Sequence, residues 1–321
     1  SYAYVTRYVK SDGSAWAIGD NHYGQLGDGS TTDRNQSVQI VASGVKSISS
    51  GLRFGYILLN NWELKGFGNR SYGRLGDGLP LADDWTPLEI AEGVRDFEMG
   101  SLMSSFIKRD GQVLNVGHNA NGGLGNGSKE ITGKFVHLPN TNASKVAVSH
   151  YHSIYLDING SLWGTGRNDY GELGLGDNID RNMSVMIEPS GVKDVSVGAY
   201  HTIFIKENGS LWAMGFGWFG VMGTGNLSNQ NIPVKILDNG CHDVSTGERH
   251  TLILKSDDTL WGMGRNDMGQ LGNGVYDPHI HTESTRQLHP QKLVDFKVKM
   301  IATGKHSSFF IDMNNRRVYF V

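Results

Sequence analysis

The sequence predicts an all-β protein, a seven-bladed β-propeller of four-stranded antiparallel blades, and two observations carry this prediction. The first is a repeat: a leucine between glycines recurs at intervals of 49 residues, at Leu26, Leu75, Leu124, Leu173 and Leu271, with Met222 at the remaining position. A self-similar period of this length is typical of propellers and solenoids. The second is the composition, because 44 glycines and 38% apolar residues suit short strands joined by tight turns.

Each repeat contains four short strand-like segments with turn residues at their ends. In the second repeat these segments are 45–49, 56–60, 63–67 and 87–90. A pair such as Asp12-Gly13 separates the second segment from the third, so we expect a two-residue hairpin turn in which both residues have positive φ. Four antiparallel strands per repeat is the plan of a propeller blade.

The positions of the chain ends predict how the propeller closes. The chain begins within one repeat and ends within a third strand, at 318–321, which leaves it two strands short of seven complete blades. We expect one domain over residues 1–321, with six 49-residue repeats, partial repeats at each end, and a closing blade shared by the N- and C-terminal strands. The two absent strands either lie outside this chain or come from a neighbouring molecule. An insertion at 277–285 interrupts the rhythm.

Charge, cysteine count and hydropathy narrow the function classes. The net charge of -3 disfavours electrostatic binding of DNA or RNA, so no nucleic-acid partner is expected. The single cysteine, Cys241, excludes an intrachain disulfide framework and a multi-cysteine zinc site, and we expect it to be buried at the start of a strand. No run of about 18 apolar residues is present, so we expect no membrane insertion.

The repeated motifs resemble those of a known family. The best copies are NGSLWGTGRNDYGELG, which begins at Asn159, and TLWGMGRNDMGQLG, which begins at Thr259, and a G-x-x-H-[ST] segment lies upstream. This combination resembles the repeats of the regulator of chromosome condensation family, in the style of its bacterial or phage-associated members. The resemblance covers essentially the whole chain and implies a seven-bladed β-propeller. It leaves the function open, because one fold serves many tasks.

Residues that recur in most repeats are expected to serve the fold. One column, interpreted as core between blades, holds Trp16, Trp163, Trp212 and Trp261. A second column, interpreted as buried hydrogen-bonding histidines and not as metal ligands, holds His152, His201, His250 and His306. His279 and His281 in the insertion lack a third ligand nearby. We therefore expect no metal, no cofactor and no catalytic residue.

Residues that break the pattern in one repeat are the candidates for function. In the fifth repeat Phe216 and Trp218 replace residues that are polar, charged or small elsewhere, and Trp85 follows a third strand in the second repeat. Trp218 is either a cap over a shortened loop or an exposed contact residue. We expect Trp218, Phe216, Trp85 and Tyr72 on one propeller face, as a partner-binding surface, because exposed aromatic side chains bury much area at little entropic cost. Trp62, in a hairpin turn, is expected on the opposite face.

These patterns favour a non-catalytic recognition scaffold that binds a protein, or a glycan, through loops on one propeller face, as a module of a larger surface or virion protein. One alternative is guanine-nucleotide exchange on a small GTPase, which is the activity of the founding eukaryotic member of the family that the repeats resemble. Another is a secreted enzyme inhibitor. We expect an extracellular, cell-surface or virion location more than a cytoplasmic one.

Overall fold

The regular secondary structure of the protein is almost entirely short β-strands. The structure is a computed structural model that describes residues 5–51, 53–78, 84–139, 141–275 and 285–321. A short 3-10 turn is present at Ser71–Gly73. The first thirteen strands are β1 Val5–Val9, β2 Ala15–Gly19, β3 Arg34–Val41, β4 Val45–Ser50, β5 Phe54–Leu59, β6 Leu64–Gly68, β7 Asp84–Ala91, β8 Val94–Met99, β9 Met103–Lys108, β10 Val113–Gly117, β11 Thr132–His137, β12 Ala143–Val148 and β13 His152–Asp157. The other thirteen are β14 Leu162–Gly166, β15 Arg181–Glu188, β16 Val192–Val197, β17 His201–Lys206, β18 Leu211–Gly215, β19 Gln230–Leu237, β20 Cys241–Thr246, β21 His250–Lys255, β22 Leu260–Gly264, β23 Gln287–Lys292, β24 Val298–Thr303, β25 Ser308–Asp312 and β26 Val318–Phe320.

The strands pair into seven antiparallel sheets, the blades of a seven-bladed β-propeller, and the predicted fold class is confirmed. Blades 2 to 6 have four strands each, in chain order: β4–β7, β8–β11, β12–β15, β16–β19 and β20–β23. Blade 1 contains β1–β3 and blade 7 contains β24–β26. The chain forms two compact units: unit 1 comprises Ser1–Ser153 and Asn182–Ser184, and unit 2 comprises Ile154–Arg181 and Val185–Val321.

The two terminal blades differ from the predicted arrangement, because no sheet of the described residues combines strands from both chain ends. Strand β3 pairs with β2 from Arg34–Gly19 to Val41–Ala15, so the N-terminal hairpin acquires an outer strand of its own and forms a separate blade. Strands β24, β25 and β26 likewise form a sheet by themselves. By their spacing, β1 corresponds to the second strand of a complete blade and β26 to the third.

The hairpin turns between second and third strands also differ from the prediction. In blade 1, Ser14 O accepts a hydrogen bond from Lys10 N at 2.9 Å, and Lys10 O accepts one from Gly13 N at 2.9 Å. Only the glycine has positive φ, 78° at Gly13, while Asp12 does not. The Asp12 carboxylate instead accepts from Ser14 N at 2.8 Å. This side-chain bond and a left-handed glycine produce the three-residue form of the hairpin, not the two-residue form.

Each complete blade has two ends with different connections. Because the strands are antiparallel, the loop between the first and second strands and the loop between the third and fourth lie at one end, which we call the loop end. The hairpin between the second and third strands and the connection to the next blade lie at the other, the hairpin end. In blade 5 the loop end comprises residues 198–200 and 216–229.

The core lies between the faces of neighbouring blades. In unit 1, Tyr56 of blade 2 packs edge-on against Phe106 of blade 3, with ring centroids 5.0 Å apart. In unit 2, one cluster joins Ile203 of blade 5 to Ile253 of blade 6, and another joins Leu252 of blade 6 to Phe310 of blade 7. Burial of such apolar faces stabilises each blade against the next.

The recurring tryptophans are half-buried at the margin of this core, and Trp261 packs against the cluster of blades 5 and 6. Trp212 is half-buried, stacks on Phe204 with centroids 6.2 Å apart, and has the Lys206 ammonium 4.6 Å from its ring. Its indole N–H donates to Ser210 Oγ at 2.9 Å. A lysine lies over Trp16 and Trp261 in the same way, at 3.7 and 3.8 Å. These tryptophans therefore have a structural role, and the polar edge of each indole ring reaches solvent.

Two further expectations concern the chain as a whole. Cys241 is the first residue of β20 and is buried, as predicted, and burial raises the pKa of its thiol to about 11. Across the residues that the structure describes, no helix has the length and apolar content needed to cross a bilayer.

Candidate functional site

A buried asparagine holds the loop between the third and fourth strands. In blade 4 the Asn168 side-chain oxygen accepts from Leu173 N at 2.9 Å, and its amide donates to Asp177 O at 3.0 Å. The same acceptor bond recurs in three other blades, at Asn21, Asn119 and Asn266. The N-x-x-G-x-L-G motif therefore holds this loop in place: the asparagine side chain hydrogen-bonds to the loop backbone, and the leucine packs in the core.

Blades 2 and 5 lack this asparagine, and they are the blades that carry the sequence-predicted site residues. Arg70 takes its place in blade 2, where its guanidinium pairs with Asp77 at 2.8 Å and with Asp84. Gly217 takes its place in blade 5. A Cβ at Gly217 would lie 2.1 Å from Ser228 O, so the loop backbone fills the space that the amide occupies elsewhere. The unusual composition of the fifth loop thus has a local structural cause.

One side chain of each such loop reaches the next blade. In unit 2, Tyr170 of blade 4 contacts two aromatic rings of blade 5: Phe216, with centroids 4.7 Å apart, and Tyr200, with centroids 6.0 Å apart. The Arg167 guanidinium lies 4.9 Å from the Tyr170 ring and 5.0 Å from the Tyr200 ring. Aromatic and arginine side chains therefore join neighbouring loops.

Unit 1 contains a similar contact around Tyr72. Its ring packs edge-on against His118 of blade 3, with centroids 5.3 Å apart, and His118 in turn packs against Tyr151 at 5.5 Å. Tyr72 has a φ of 63°, which is uncommon for a residue other than glycine, and its side chain is exposed. Tyr72 therefore lies at the loop end of blade 2, with one edge in contact with a neighbour and the other in water.

Trp85 is also at the loop end of blade 2, but its surroundings differ from the prediction. It is the second residue of β7, not a loop residue, because pairing with β6 begins already at Asp84. Its side chain packs on Gly24 of blade 1, where an added Cβ would approach the indole to 2.5 Å, yet it remains exposed. Trp62 lies at the hairpin end of the same blade, as expected, with Lys46 Nζ 3.9 Å from its ring.

Phe216 and Trp218, on either side of Gly217, have different environments. Phe216 is half-buried among Tyr170, Tyr200 and Phe219, whose ring centroids lie 4.7 to 6.2 Å away. Trp218 is 51% exposed, and the Arg286 guanidinium lies 5.7 Å from its ring. Phe216 is therefore mainly a packing residue, whereas Trp218 presents an aromatic surface to solvent.

Sequence reasoning missed the residue beside them, Phe219, because it matches tyrosines in other repeats. Three guanidinium groups surround its ring: Arg249 at 4.6 Å, Arg286 at 5.5 Å and Arg265 at 5.7 Å from the centroid. We call Phe219, these three arginines and Trp218 the Phe219 cluster. The signal in the sequence was the replacement of Tyr200 by Arg249 and of Phe216 by Arg265 one repeat later.

A second group of charges adjoins the Phe219 cluster in the first loop of blades 6 and 7. The carboxylate of Glu248 lies 3.2 Å from Arg249 Nε, 3.1 Å from Lys305 Nζ and 3.8 Å from His306 Nε2. Arg265 pairs with Asp267 at 2.6 Å, and both side chains are largely buried. The loop end of blades 5 to 7 thus concentrates aromatic rings and cations at one junction of unit 2.

Comparison with known proteins shows the family. Two sequence profiles described as the regulator of chromosome condensation (RCC1) repeat match the chain, one at residues 143–172 and 241–270, the other at 159–205, 208–254 and 257–311. Together they cover just over half of it. The chain belongs to the RCC1 repeat family. No curated protein has a significantly similar sequence over the RCC1 repeats or elsewhere in the chain.

Solved structures share the fold of this RCC1-repeat protein at low sequence identity. Human WBSCR16 is 20% identical with a TM-score of 0.82, over 98% of this chain and 85% of that one. Yeast RCC1 (Prp20), solved bound to Kap60, is 19% identical with a TM-score of 0.80, over 98% and 79%. Prp20p from Saccharomyces cerevisiae, in a second structure, is 20% identical with a TM-score of 0.79, over 98% and 82%.

The histidines of the RCC1 repeats are buried and serve the fold. Burial lowers the pKa of His201 to about 3 and that of His250 to about 4, so both rings are neutral at physiological pH. His250 Nε2 lies 2.9 Å from Ser308 Oγ. A Cβ at Gly198 would lie 2.0 Å from the His201 ring, so glycine at that place makes room for the imidazole.

The fourth histidine assigned to that column, His306, belongs to the adjacent one. Gly304 N donates to Ser307 O in the same pattern in which Gly247 N donates to His250 O, so Ser307 is the equivalent of His250 and His306 the equivalent of Arg249. The insertion had shifted the alignment. Over the described ranges, no three His, Cys, Asp or Glu side chains are grouped as metal ligands would be, and His279 and His281 lie outside those ranges.

Proposed function

We propose that this RCC1-repeat protein is a non-catalytic recognition scaffold that binds a protein partner through the loop end of its blades. The observation that carries the proposal is Trp218: a large aromatic side chain, 51% exposed, on a loop whose backbone is closely packed at Gly217. An exposed indole on a rigid support loses little conformational entropy on binding. Tyr72 and Trp85, both exposed at the loop end of blade 2, extend the proposal to unit 1.

Relatives of the same fold support a protein as the partner. One yeast structure contains Prp20 bound to Kap60, and the other was described together with the binding properties of Prp20p to Gsp1p and histones. Those partners belong to Prp20, and at this identity the comparison transfers the fold alone. The comparison supports only the more general inference that the surface of an RCC1-repeat propeller can bind other proteins.

The titratable groups of unit 2 favour binding over catalysis. The groups of this unit with strongly shifted pKa values near the loop end are Glu172, His201 and His250, and each is buried beneath the loops. A general acid or base must reach the atom with which it exchanges a proton. These side chains instead stabilise the loops that present Trp218.

Affinity capture with matched variants tests the proposal. Immobilised native protein and Trp218→Ala are compared in extract of the source cells, with Trp62→Ala at the hairpin end as the control. We expect Trp218→Ala to bind its partner at least about tenfold more weakly, while Trp62→Ala binds normally. The free energy of unfolding of Trp218→Ala should change by less than about 0.5 kcal/mol.

The alternatives predict other outcomes. If Trp218 were a cap, Trp218→Ala would lose stability as Phe216→Ala should, by about 3 kcal/mol. Nucleotide release from a small GTPase by the native protein would favour an exchange factor, and inhibition of a secreted enzyme would favour an inhibitor. Capture that depends on neither Trp218 nor the blade 2 aromatics would contradict the proposal. A glycan array distinguishes a sugar ligand from a protein.

A further inference from the structure

The connection between blades 5 and 6 contains an asparagine that is followed by glycine, Asn239-Gly240. In such a pair the main-chain nitrogen of the glycine can attack the side-chain carbonyl carbon of the asparagine, because glycine has no Cβ to hinder the approach and tolerates positive φ. Asparagine is accordingly one of the thermolabile residues of proteins. The chain has six of these pairs: Asn121-Gly122, Asn126-Gly127, Asn159-Gly160, Asn208-Gly209, Asn239-Gly240 and Asn273-Gly274.

A hydrogen bond from the glycine N–H opposes this reaction. The nitrogen must lose its proton and approach the side chain, so a bond from the N–H to a carbonyl oxygen must first be broken. Four of the six glycines donate such a bond to a backbone carbonyl, at N–O distances of 2.7 to 3.1 Å: Gly122 to Asn119, Gly127 to Asn182, Gly160 to Asp157 and Gly209 to Lys206. These four pairs are therefore protected in the folded protein.

The pair Asn273-Gly274 is protected through its side chain instead. Asn273 Oδ1 accepts a hydrogen bond from Asn266 Nδ2 at 2.9 Å and another from Val275 N at 3.1 Å. The two bonds fix the carboxamide group, so its carbon is not free to approach Gly274 N.

The pair Asn239-Gly240 lacks both kinds of protection. Asn239 is exposed, and within the part of the chain that the structure describes neither its carboxamide nor Gly240 N has a hydrogen-bond partner. Gly240 has a φ of 78°, and an added Cβ would have no atom within 4 Å apart from its chain neighbours, so there is room for the ring that the reaction forms. The six pairs are alike in sequence, and their hydrogen bonds distinguish this one.

We propose that Asn239 is a site of spontaneous covalent modification, at which the folded protein converts asparagine to aspartate and isoaspartate. Gly240 N forms a bond to Asn239 Cγ, the bond between Cγ and Nδ2 breaks, and ammonia leaves with the proton that Gly240 N loses. Water then opens the resulting succinimide ring. Addition of water at Cγ gives aspartate, and addition at the main-chain carbonyl carbon gives isoaspartate, in which the main chain continues through Cγ.

Isoaspartate at this position would weaken the connection between the blades, because the main chain that follows Asn239 is bonded to two hairpins. Gly240 O accepts from Ser256 N at 2.9 Å, and Cys241 N donates to Gly209 O at 2.9 Å. Isoaspartate lengthens the main chain by a methylene group directly before these two bonds. We expect the amide protons of Ser256 and Cys241 to exchange with solvent faster in the isoaspartate form than in the unmodified protein, as measured by hydrogen exchange and mass spectrometry.

Peptide mapping by mass spectrometry during incubation of the folded protein at mildly alkaline pH tests the proposal. Replacement of the amide by a carboxylate changes the peptide mass, and chromatography separates aspartate from isoaspartate. We expect Asn239 to convert at least about tenfold faster than the asparagine of each other Asn-Gly pair. The control is Asn239→Ser, since Ser43 and Ser190 occupy this position in two other repeats, and it should form no isoaspartate in this peptide.

The same incubation in denaturant separates the effect of structure from that of sequence. Without the protecting hydrogen bonds, all six pairs should convert at similar rates and the preference for Asn239 should disappear. Three results would overturn the proposal: no conversion of Asn239 in the folded protein, conversion no faster than at Asn159 or Asn208, or the same preference for Asn239 in the unfolded chain. Unchanged exchange at both Ser256 and Cys241 in the isoaspartate form would overturn the expected effect on the connection.

Discussion

Glu172 is buried in the loop of blade 4, at a position where two other repeats have glutamine, Gln25 and Gln270. Its side chain is fully buried, and burial raises the pKa of its carboxyl to about 7. One carboxylate oxygen accepts from Tyr170 N at 2.8 Å. The same bond is made by Gln25 to Tyr23 N and by Gln270 to Met268 N. A glutamine therefore satisfies this position without a charge.

Replacement of Glu172 by glutamine should stabilise the protein in a pH-dependent manner. Because the folded-state pKa lies above the reference value of 4.5, the native state retains the proton between these values, and ionisation of Glu172 destabilises it as pH rises through that window. Above pH of about 7 the full effect is of the order of 3 kcal/mol, which is the upper limit for the gain in Glu172→Gln. Denaturant unfolding across the pH range measures it.

The difference in unfolding free energy between Glu172→Gln and the native protein reports on Glu172 alone. His201 and His250 have lowered pKa values, so their contribution to stability is lost as pH falls below about 6.5, the opposite direction, but both proteins share it. The gain should vanish below pH of about 4.5 and be constant above pH of about 7. A gain independent of pH would show that burial does not shift the pKa of Glu172.

At the scale of single residues, the sequence predicts which residues recur but not which neighbours their side chains contact. Leu173 and its flanking glycines were recognised as structural from spacing alone, and Leu173 is buried. The exposure of Trp218 could not be predicted, because it depends on how closely the backbone packs at Gly217. Arg286 follows the insertion and has no periodic equivalent, so its position over Phe219 is set by tertiary structure only.

At the scale of the element, the loop between third and fourth strands is the unit that distinguishes one blade from another. Four blades fasten it with an asparagine amide, blade 2 with the ion pairs of Arg70, and blade 5 with close backbone packing at Gly217. The asparagine belongs to the N-x-x-G-x-L-G motif. The spacing of that motif does not show that the asparagine side chain makes the hydrogen bonds to the loop backbone that a neighbouring strand would otherwise make.

Removal of the asparagine side chain that holds one of these loops should destabilise its blade. Asn168→Ala leaves Leu173 N buried without its 2.9 Å bond and breaks the bond to Asp177 O. We expect the free energy of unfolding to fall by about 2 to 3 kcal/mol, because a buried donor without a partner retains its full desolvation cost. Chemical denaturation measures the loss. The control is Asn178→Ala, an exposed amide in the same loop, which should lose less than about 1 kcal/mol. Equal losses in the two variants would refute the fastening role.

Strand positions could be predicted to within a few residues, and the errors have physical causes. The fourth strand of blade 2 begins at Asp84, earlier than its apolar pattern indicates, because pairing with Gly68 continues into polar sequence. Trp85 therefore lies within the fourth strand and not before it, as the predicted segment 87–90 had implied. The hairpins were predicted as two-residue turns, whereas the Asp12 side-chain bond to Ser14 N favours the longer form.

At the scale of the whole molecule, the seven-bladed fold follows from the 49-residue period, since each repeat supplies one blade and buries its faces against its neighbours. The period did not show which strands make up the first and last blades. The boundaries between repeats in the sequence are offset by one strand from the boundaries between the sheets. The partner surface lies beyond what periodicity can show. It depends on residues that differ between repeats, such as Trp218 and Arg286.

Photo-crosslinking at opposite ends of blades 5 and 6 tests loop-end recognition most directly. Benzoylphenylalanine is placed at Trp218 or Met268, both exposed at the loop end, and at Glu207 or Asp257, both exposed in the hairpins. If the loop end binds the partner, the first two positions should crosslink to one and the same protein and the two hairpin positions should not. Crosslinks to that protein from Glu207 or Asp257, with none from Trp218 or Met268, would place recognition at the other end and contradict the proposed function.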